Sequence, residues 1–150
     1  IKRHKDHEYA LLFIDLDDFK QINDQFGHHV GDTFLIEASK RIVHSVRTND
    51  IVARFGGDEF VILLDQVDDK SMIEDISKRI IKQMSAPFIL NDLPAHSGAS
   101  IGICCFGRHS FAVDELLKLA DDAMYQAKSK GRGCYVFCDA DEDVKEVPKL

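Results

Sequence analysis

Asp15-Leu16-Asp17-Asp18 closes an apolar run that begins at Tyr9. Residues two apart in a strand share a face, so Asp15 and Asp17 are expected to project together. Carboxylates at a strand end are hard oxygen donors, suited to holding magnesium against nucleotide phosphates. Asp18 is instead the residue type that caps a following helix. Phe55-Gly56-Gly57-Asp58-Glu59-Phe60 forms a second group. Its glycines permit positive φ and leave no side chain between the backbone and a phosphate. The adjacent acids repel one another, a cost that a cation relieves. An exposed Gly-Gly hairpin with acidic neighbours needs no ligand, however, and both readings stay open. Asn23 and Asp32 could read a guanine edge: a carboxylate accepts from the ring N–H and the exocyclic amine, and an amide donates and accepts. Asp32 equally suits the cap of a helix after Gly31, and one oxygen could serve each purpose. Lys128 and Arg132 bracket Ser129-Lys130-Gly131 at the end of a helical pattern. Cations there favour the helix dipole on their own account and bind phosphate only where an anion site adjoins.

The elements that must position these groups alternate between strand and helix. Residues 9–16 (YALLFIDL) are almost continuously apolar, as in a strand buried on both faces. A short helix is expected over 18–26, stopped by Gly27, and a longer amphipathic one over 31–46. Residues 51–55 and 59–64 read as a hairpin around Gly56-Gly57-Asp58. A helix over 72–84 ends before Pro87. Residues 88–106 contain Asn91-Asp92 and Pro94, so two strands joined by a turn are expected there, the second over 99–106. A helix over 114–130 is stopped by Gly131, and 134–138 (CYVFC) forms a last short strand.

The chain's 150 residues, 45% of them apolar, suffice for one domain and are too few for two of ordinary size. No apolar segment reaches the ~18–20 residues of a membrane span. Asp and Glu outnumber Lys and Arg by 26 to 19, and the net charge of -7 argues against broad attraction to nucleic acid or anionic lipid. An anionic ligand would need focused contacts or a metal. Ile1-Lys2-Arg3-His4-Lys5-Asp6 lacks the apolar core of a signal peptide, so a cytoplasmic domain is expected, alone or as part of a membrane-anchored protein. Cys104 and Cys105 are adjacent and no Cys-x-x-Cys occurs, which favours reduced, mostly buried thiols over disulfides or zinc. Residues 139–150 are acidic and poor in apolar side chains, as a linker would be.

Taken together, the motifs resemble the GGDEF family of bacterial diguanylate cyclases. The family's name is the string Gly56-Gly57-Asp58-Glu59-Phe60. Phe13-Ile14-Asp15-Leu16-Asp17-Asp18-Phe19-Lys20-Gln21-Ile22-Asn23-Asp24 matches its strand-to-helix signature, and Phe26-Gly27-His28-His29-Val30-Gly31-Asp32 follows at the family's spacing. Ala99-Ser100-Ile101-Gly102 and the stretch from Ala120-Asp121-Asp122 through Lys128-Ser129-Lys130-Gly131-Arg132 complete the match. His29 stands where an acid is more usual and Gly133 where Asn is. The family's opening helix, with its Asp-x-Leu-Thr-Gly-Leu-like signature, is absent before Tyr9, so a truncated piece is expected. The GGDEF domain is expected over 1–138 and a tail or linker over 139–150.

The resemblance implies an α+β fold, a βαββαβ palm-like core with an antiparallel sheet flanked by helices. It implies condensation of two GTP into cyclic di-GMP and two pyrophosphates by a magnesium-dependent homodimer, with manganese as a possible substitute. By carry-over, Asp15, the Leu16 carbonyl and Asp58 would hold the metal. Glu59 would be a further metal contact or would help deprotonate the attacking ribose 3′-hydroxyl. Asn23 and Asp32 would read guanine, Gly56 and Gly57 would admit the phosphates, and Lys128 and Arg132 would bind the terminal phosphates with Lys20 nearby. Arg47-Thr48-Asn49-Asp50 lies where the family carries a product-inhibition site, in which Arg47 and Asp50 would bind cyclic di-GMP. Glu74 and Lys78 stand where that site's further arginines are expected. The alternative is a catalytically silent GTP- or cyclic di-GMP-binding module of a larger signalling protein.

Overall fold

A computed structural model describes residues 8–107 and 112–138. The elements run β1 (Glu8–Leu16), α1 (Phe19–Phe26), α2 (His28–Ser45), β2 (Ile51–Arg54) and β3 (Glu59–Leu64). They continue through α3 (Lys70–Ser85), β4 (Phe88–Leu90), β5 (Leu93–Ala95), β6 (Ala99–Gly107), α4 (Val113–Ser129) and β7 (Tyr135–Phe137). Five strands form one sheet in the order β2-β3-β1-β6-β7.

The apolar run at 9–16 is continuous because β1 is the central strand and is covered on both faces. Ala10, Leu12, Ile14 and Leu16 join one core with Phe34 and Ile42 of α2 and Ile73 and Ile80 of α3. Leu11 and Phe13 point the other way, into a second core with Leu116, Ala120, Ala123 and Met124 of α4. Wholly buried Phe34 lies against Phe19 and Phe88, at ring centroid distances of 5.9 and 4.5 Å. Burial of such a side chain is worth roughly 2–3 kcal/mol. On the opposite face a Cβ at Gly102 would run into the α4 backbone at Ala120 and Met124, so glycine is what lets α4 lie directly on β6.

The expected βαββαβ core is present as β1, α1 with α2, β2, β3, α3 and β6, and several details depart from expectation. The sheet is mixed rather than wholly antiparallel: β7 pairs parallel with β6, because α4 is a crossover that returns the chain in the same direction. Residues 88–106 form three strands. β4 and β5 make a separate two-stranded hairpin, turned at Asn91 (φ 52°) and Asp92 (φ 64°), and β6 follows. Two positive φ angles in succession suit a tight hairpin turn, which Asn and Asp tolerate. α2 starts at His28, not Gly31: Gly27, at φ 91°, both ends α1 and precedes α2, so Asp32 sits in the second turn and caps nothing. Asp18 occupies the N-cap position of α1 with φ 65° but makes no side-chain capping bond. Cys104 and Cys138 are buried, with sulfurs 3.0 Å apart, while Cys105 and Cys134 are half-buried. The tail expected over 139–150 lies outside the described residues, as does the segment before Glu8.

Candidate active site

Strand register assembles the acids. β1 and β3 pair antiparallel with Asp15 opposite Glu59, and the Leu16 N–H donates to the Asp58 carbonyl at 3.0 Å. One carboxylate oxygen from each of Asp15, Asp58 and Glu59 lies within 4.8 Å of the others, all three residues half-buried. Lys128 reaches in from the end of α4, its Nζ 3.1 Å from Asp15 Oδ2 and 3.7 Å from Asp17 Oδ1. Burial, then the neighbouring Asp58, pushes the Asp15 carboxyl up to about 6 despite the Lys128 ammonium. Asp15 Oδ1 is buried and has no hydrogen-bond partner. Glu59 is also raised, by burial first and then by Asp58 and Asp121. Buried like charges that share one lysine leave an excess of negative charge, which a divalent cation would neutralise.

The glycine turn works differently from expectation. Neither Gly56 nor Gly57 takes a positive φ. A Cβ at Gly56 would lie 2.7 Å from Glu59 Oε1 and push that carboxylate aside, whereas the space at Gly57 is open. Arg54 braces the turn by donating from Nε to the Gly56 carbonyl at 3.1 Å and from Nη2 to the Gly57 carbonyl at 2.9 Å.

The other sequence-derived residues fall around this cluster unevenly. Asn23 projects from α1 with Oδ1 buried and unpartnered, and Gly31 is what admits it, because a Cβ at Gly31 would overlap that oxygen. Asp32 follows Gly31 directly and is exposed on α2. Arg132 donates to Asp18 Oδ1 at 2.6 Å, so Asp18 serves as an ion-pair partner and not as a cap. Lys20 is exposed and pairs with Asp24 on its own helix at 3.6 Å, not with the acidic cluster. Arg47 and Asp50 hold one another: Asp50 accepts from Arg47 Nε at 2.9 Å and from Nη2 at 2.6 Å. Burial pushes the Asp50 carboxyl up, but these bonds and the backbone N–H groups of Arg47 and Asp65 hold it below its ordinary range. Sequence reasoning missed Arg54 and assigned no role to Ser100 and Asp121, which it quoted only as parts of family motifs. Each is an ordinary polar residue in its segment, and only tertiary packing turns it toward the site.

The family model for the GGDEF domain, described as diguanylate cyclase, matches residues 1–134. The chain belongs to the GGDEF family. The bifunctional diguanylate cyclase/cyclic di-GMP phosphodiesterase MucR of Pseudomonas aeruginosa is 40% identical over 145 residues, which cover 97% of this GGDEF chain and 21% of MucR. The diguanylate cyclase TpbB of the same organism is 42% identical over 127 residues, covering 84% of the chain and 29% of TpbB. The chain therefore spans less than a third of either curated relative. The crystal structure of the TpbB GGDEF domain superposes with a TM-score of 0.83 at 40% identity, over 89% of this chain and 83% of that one.

Proposed function

We propose that this domain is a diguanylate cyclase, condensing two GTP into cyclic di-GMP and two pyrophosphates. The observation that carries the reading is the convergence of Asp15, Asp58 and Glu59 within 4.8 Å, with Asp15 Oδ1 left buried and unpartnered. Three hard oxygen donors and an orphaned lone pair fit magnesium, or manganese in its place. Asp15, the Leu16 carbonyl, Asp58 and Glu59 would hold the ion, which would supply charge neutralisation at the phosphates. The open space at Gly57 admits the triphosphate, and Lys128 and Arg132 bind its terminal phosphates. Asn23 and Asp32 read guanine, the amide oxygen of Asn23 being unsatisfied until a base arrives. The 3′-oxygen of one GTP then bonds to the α-phosphorus of the other as the bond to pyrophosphate breaks, and a second such step closes the ring. Glu59, raised by burial and by Asp58, is suited to take the proton from the 3′-hydroxyl.

Each domain offers one such site, so two copies must face each other, and their alignment supplies much of the rate. Arg47 and Asp50 would serve as a product site only by exchanging their mutual bonds for cyclic di-GMP, which implies weak affinity. No helix among the described residues is long and apolar enough to cross a membrane, and we place this domain in the cytoplasm. A second reading, a silent nucleotide-binding module beside a phosphodiesterase, is favoured by a relative named only as a phosphodiesterase, NbdA of Pseudomonas aeruginosa, 40% identical over 123 residues. Incubation of the domain with GTP and magnesium, followed by chromatography of the nucleotides, separates the two. Cyclic di-GMP supports the cyclase; GTP that binds but stays intact supports the silent module.

A further inference from the structure

We infer that Asp17 is a positioning residue for the triphosphate, anchoring the end of α4 and the turn after it so that Lys128 and Arg132 face the phosphates. The inference rests on the reading of the domain as a GTP-binding cyclase. Asp17 is only 3% exposed, and it lies outside the three-acid cluster. Its Oδ1 accepts from Ser100 Oγ at 2.9 Å and lies 3.7 Å from Lys128 Nζ. Its Oδ2 accepts from the Gly133 N–H at 3.3 Å, across 116 residues of chain. Its backbone is pinned as well: the N–H donates to the Gly98 carbonyl at 2.9 Å, and Ser97 Oγ donates to its carbonyl at 2.6 Å. A Cβ at Gly98 would lie 3.1 Å from Asp17 Oδ2, so that wall of the pocket is closed too.

The turn that Asp17 holds includes one conformation that is uncommon outside glycine. Gly131, Arg132 and Gly133 take φ of 122°, 70° and 59°, and positive φ is uncommon for arginine. Asp18, next in the chain, receives the Arg132 guanidinium at 2.6 Å. Two consecutive acids thus grip the segment that carries both cations, one from inside the protein and one from its surface. A buried carboxylate is costly to desolvate, and here its bonds are spent on the geometry of Lys128 and of the turn that carries Arg132. A carboxylate that served the fold alone would affect stability without distinguishing a triphosphate from a monophosphate.

That distinction is the test. Wild type and Asp17→Asn are titrated with GTP and with GMP in magnesium by calorimetry, and their unfolding is followed without nucleotide. The substitution keeps the shape but removes the charge and one acceptor. GTP affinity is expected to fall ~10-fold or more while GMP affinity stays within about twofold, and in turnover KM for GTP rises more than kcat falls. A folded variant that loses GTP and GMP equally, or neither, overturns the inference. Wild type that binds no GTP overturns the functional reading and this inference with it. Should Asp17→Asn fail to fold, Ser100→Ala removes only the donor that orients Oδ1. It is expected to give a smaller loss confined to GTP, and unchanged GTP binding would overturn the inference.

Discussion

Asp15 illustrates what the site costs the fold. Its carboxyl, raised to about 6 by burial and by Asp58, binds a proton in the native state at pH values where the unfolded chain has released it. The native chain thus holds more protons between roughly pH 4 and pH 6, so the associated stability is present at acid pH and is lost as pH rises through that window. Asp15→Asn is expected to stabilise the metal-free domain on the order of 1–2 kcal/mol at pH 7–8, a figure discounted for partial solvent access. The gain should vanish near pH 4 in thermal unfolding; a gain that is independent of pH would place its cause elsewhere. Because a divalent cation competes with the proton, magnesium or manganese should raise Tm of wild type more at pH 7.5 than at pH 5. Asp32→Ala should weaken GTP more than ATP, since only guanine presents the paired donors that a carboxylate matches. Equal losses in calorimetry would remove Asp32 from base reading.

Helices and strands set these residues through a few close approaches. Gly31→Ala would favour α2 by its propensity, by about 1 kcal/mol, yet its Cβ must displace Asn23 Oδ1. It is therefore expected to leave Tm within a few degrees of wild type while weakening GTP binding ~10-fold, a separation that unfolding and calorimetry would reveal. Arg47 ties the end of α2 to the start of β2 and donates to the Asp65 carbonyl at 2.5 Å. Asp50 has no exposed side-chain surface and Arg47 has 31%, so Arg47→Ala is expected to destabilise by about 2 kcal/mol, less than for a fully buried pair. Asp50 titrates below its ordinary range, so this contribution holds above that range and is lost as pH falls through the lowered value. The penalty should accordingly shrink in acid. What was legible in the sequence follows the same division. The doubly covered β1 and the hairpin at Gly56-Gly57-Asp58 follow from local pattern, whereas the convergence of Asp15 with Asp58 and Glu59 is implied only by the family resemblance and is realised by strand register. The start of α2 at His28, the parallel β7 and the separate β4–β5 hairpin do not follow from local pattern. A single glycine joins two helices at Gly27, and pairing direction depends on where α4 delivers the chain. Asp17 read as one more strand-end acid because Ser100 and Gly133, which define it, lie far along the sequence.

At the scale of the whole molecule, the chain spans 21% of MucR and 29% of TpbB. With one GTP per domain, as proposed, turnover would be second order when the domains are mostly monomeric. Specific activity is therefore expected to rise in proportion to protein concentration at high dilution and to level off once dimers predominate. Constant specific activity across that range would mean that one domain suffices. The central claim, that the acids beneath the glycine turn perform cyclisation, is tested most directly by one substitution at the hairpin tip. Asp58→Ala removes an oxygen donor from the cluster and relieves the repulsion on Asp15, without touching either core. Cyclic di-GMP formed from GTP and magnesium by wild type and Asp58→Ala, with Tm recorded for both, is the measurement. The account predicts loss of product by ~100-fold or more with Tm unchanged or raised; near-normal cyclic di-GMP formation by a folded Asp58→Ala would contradict it.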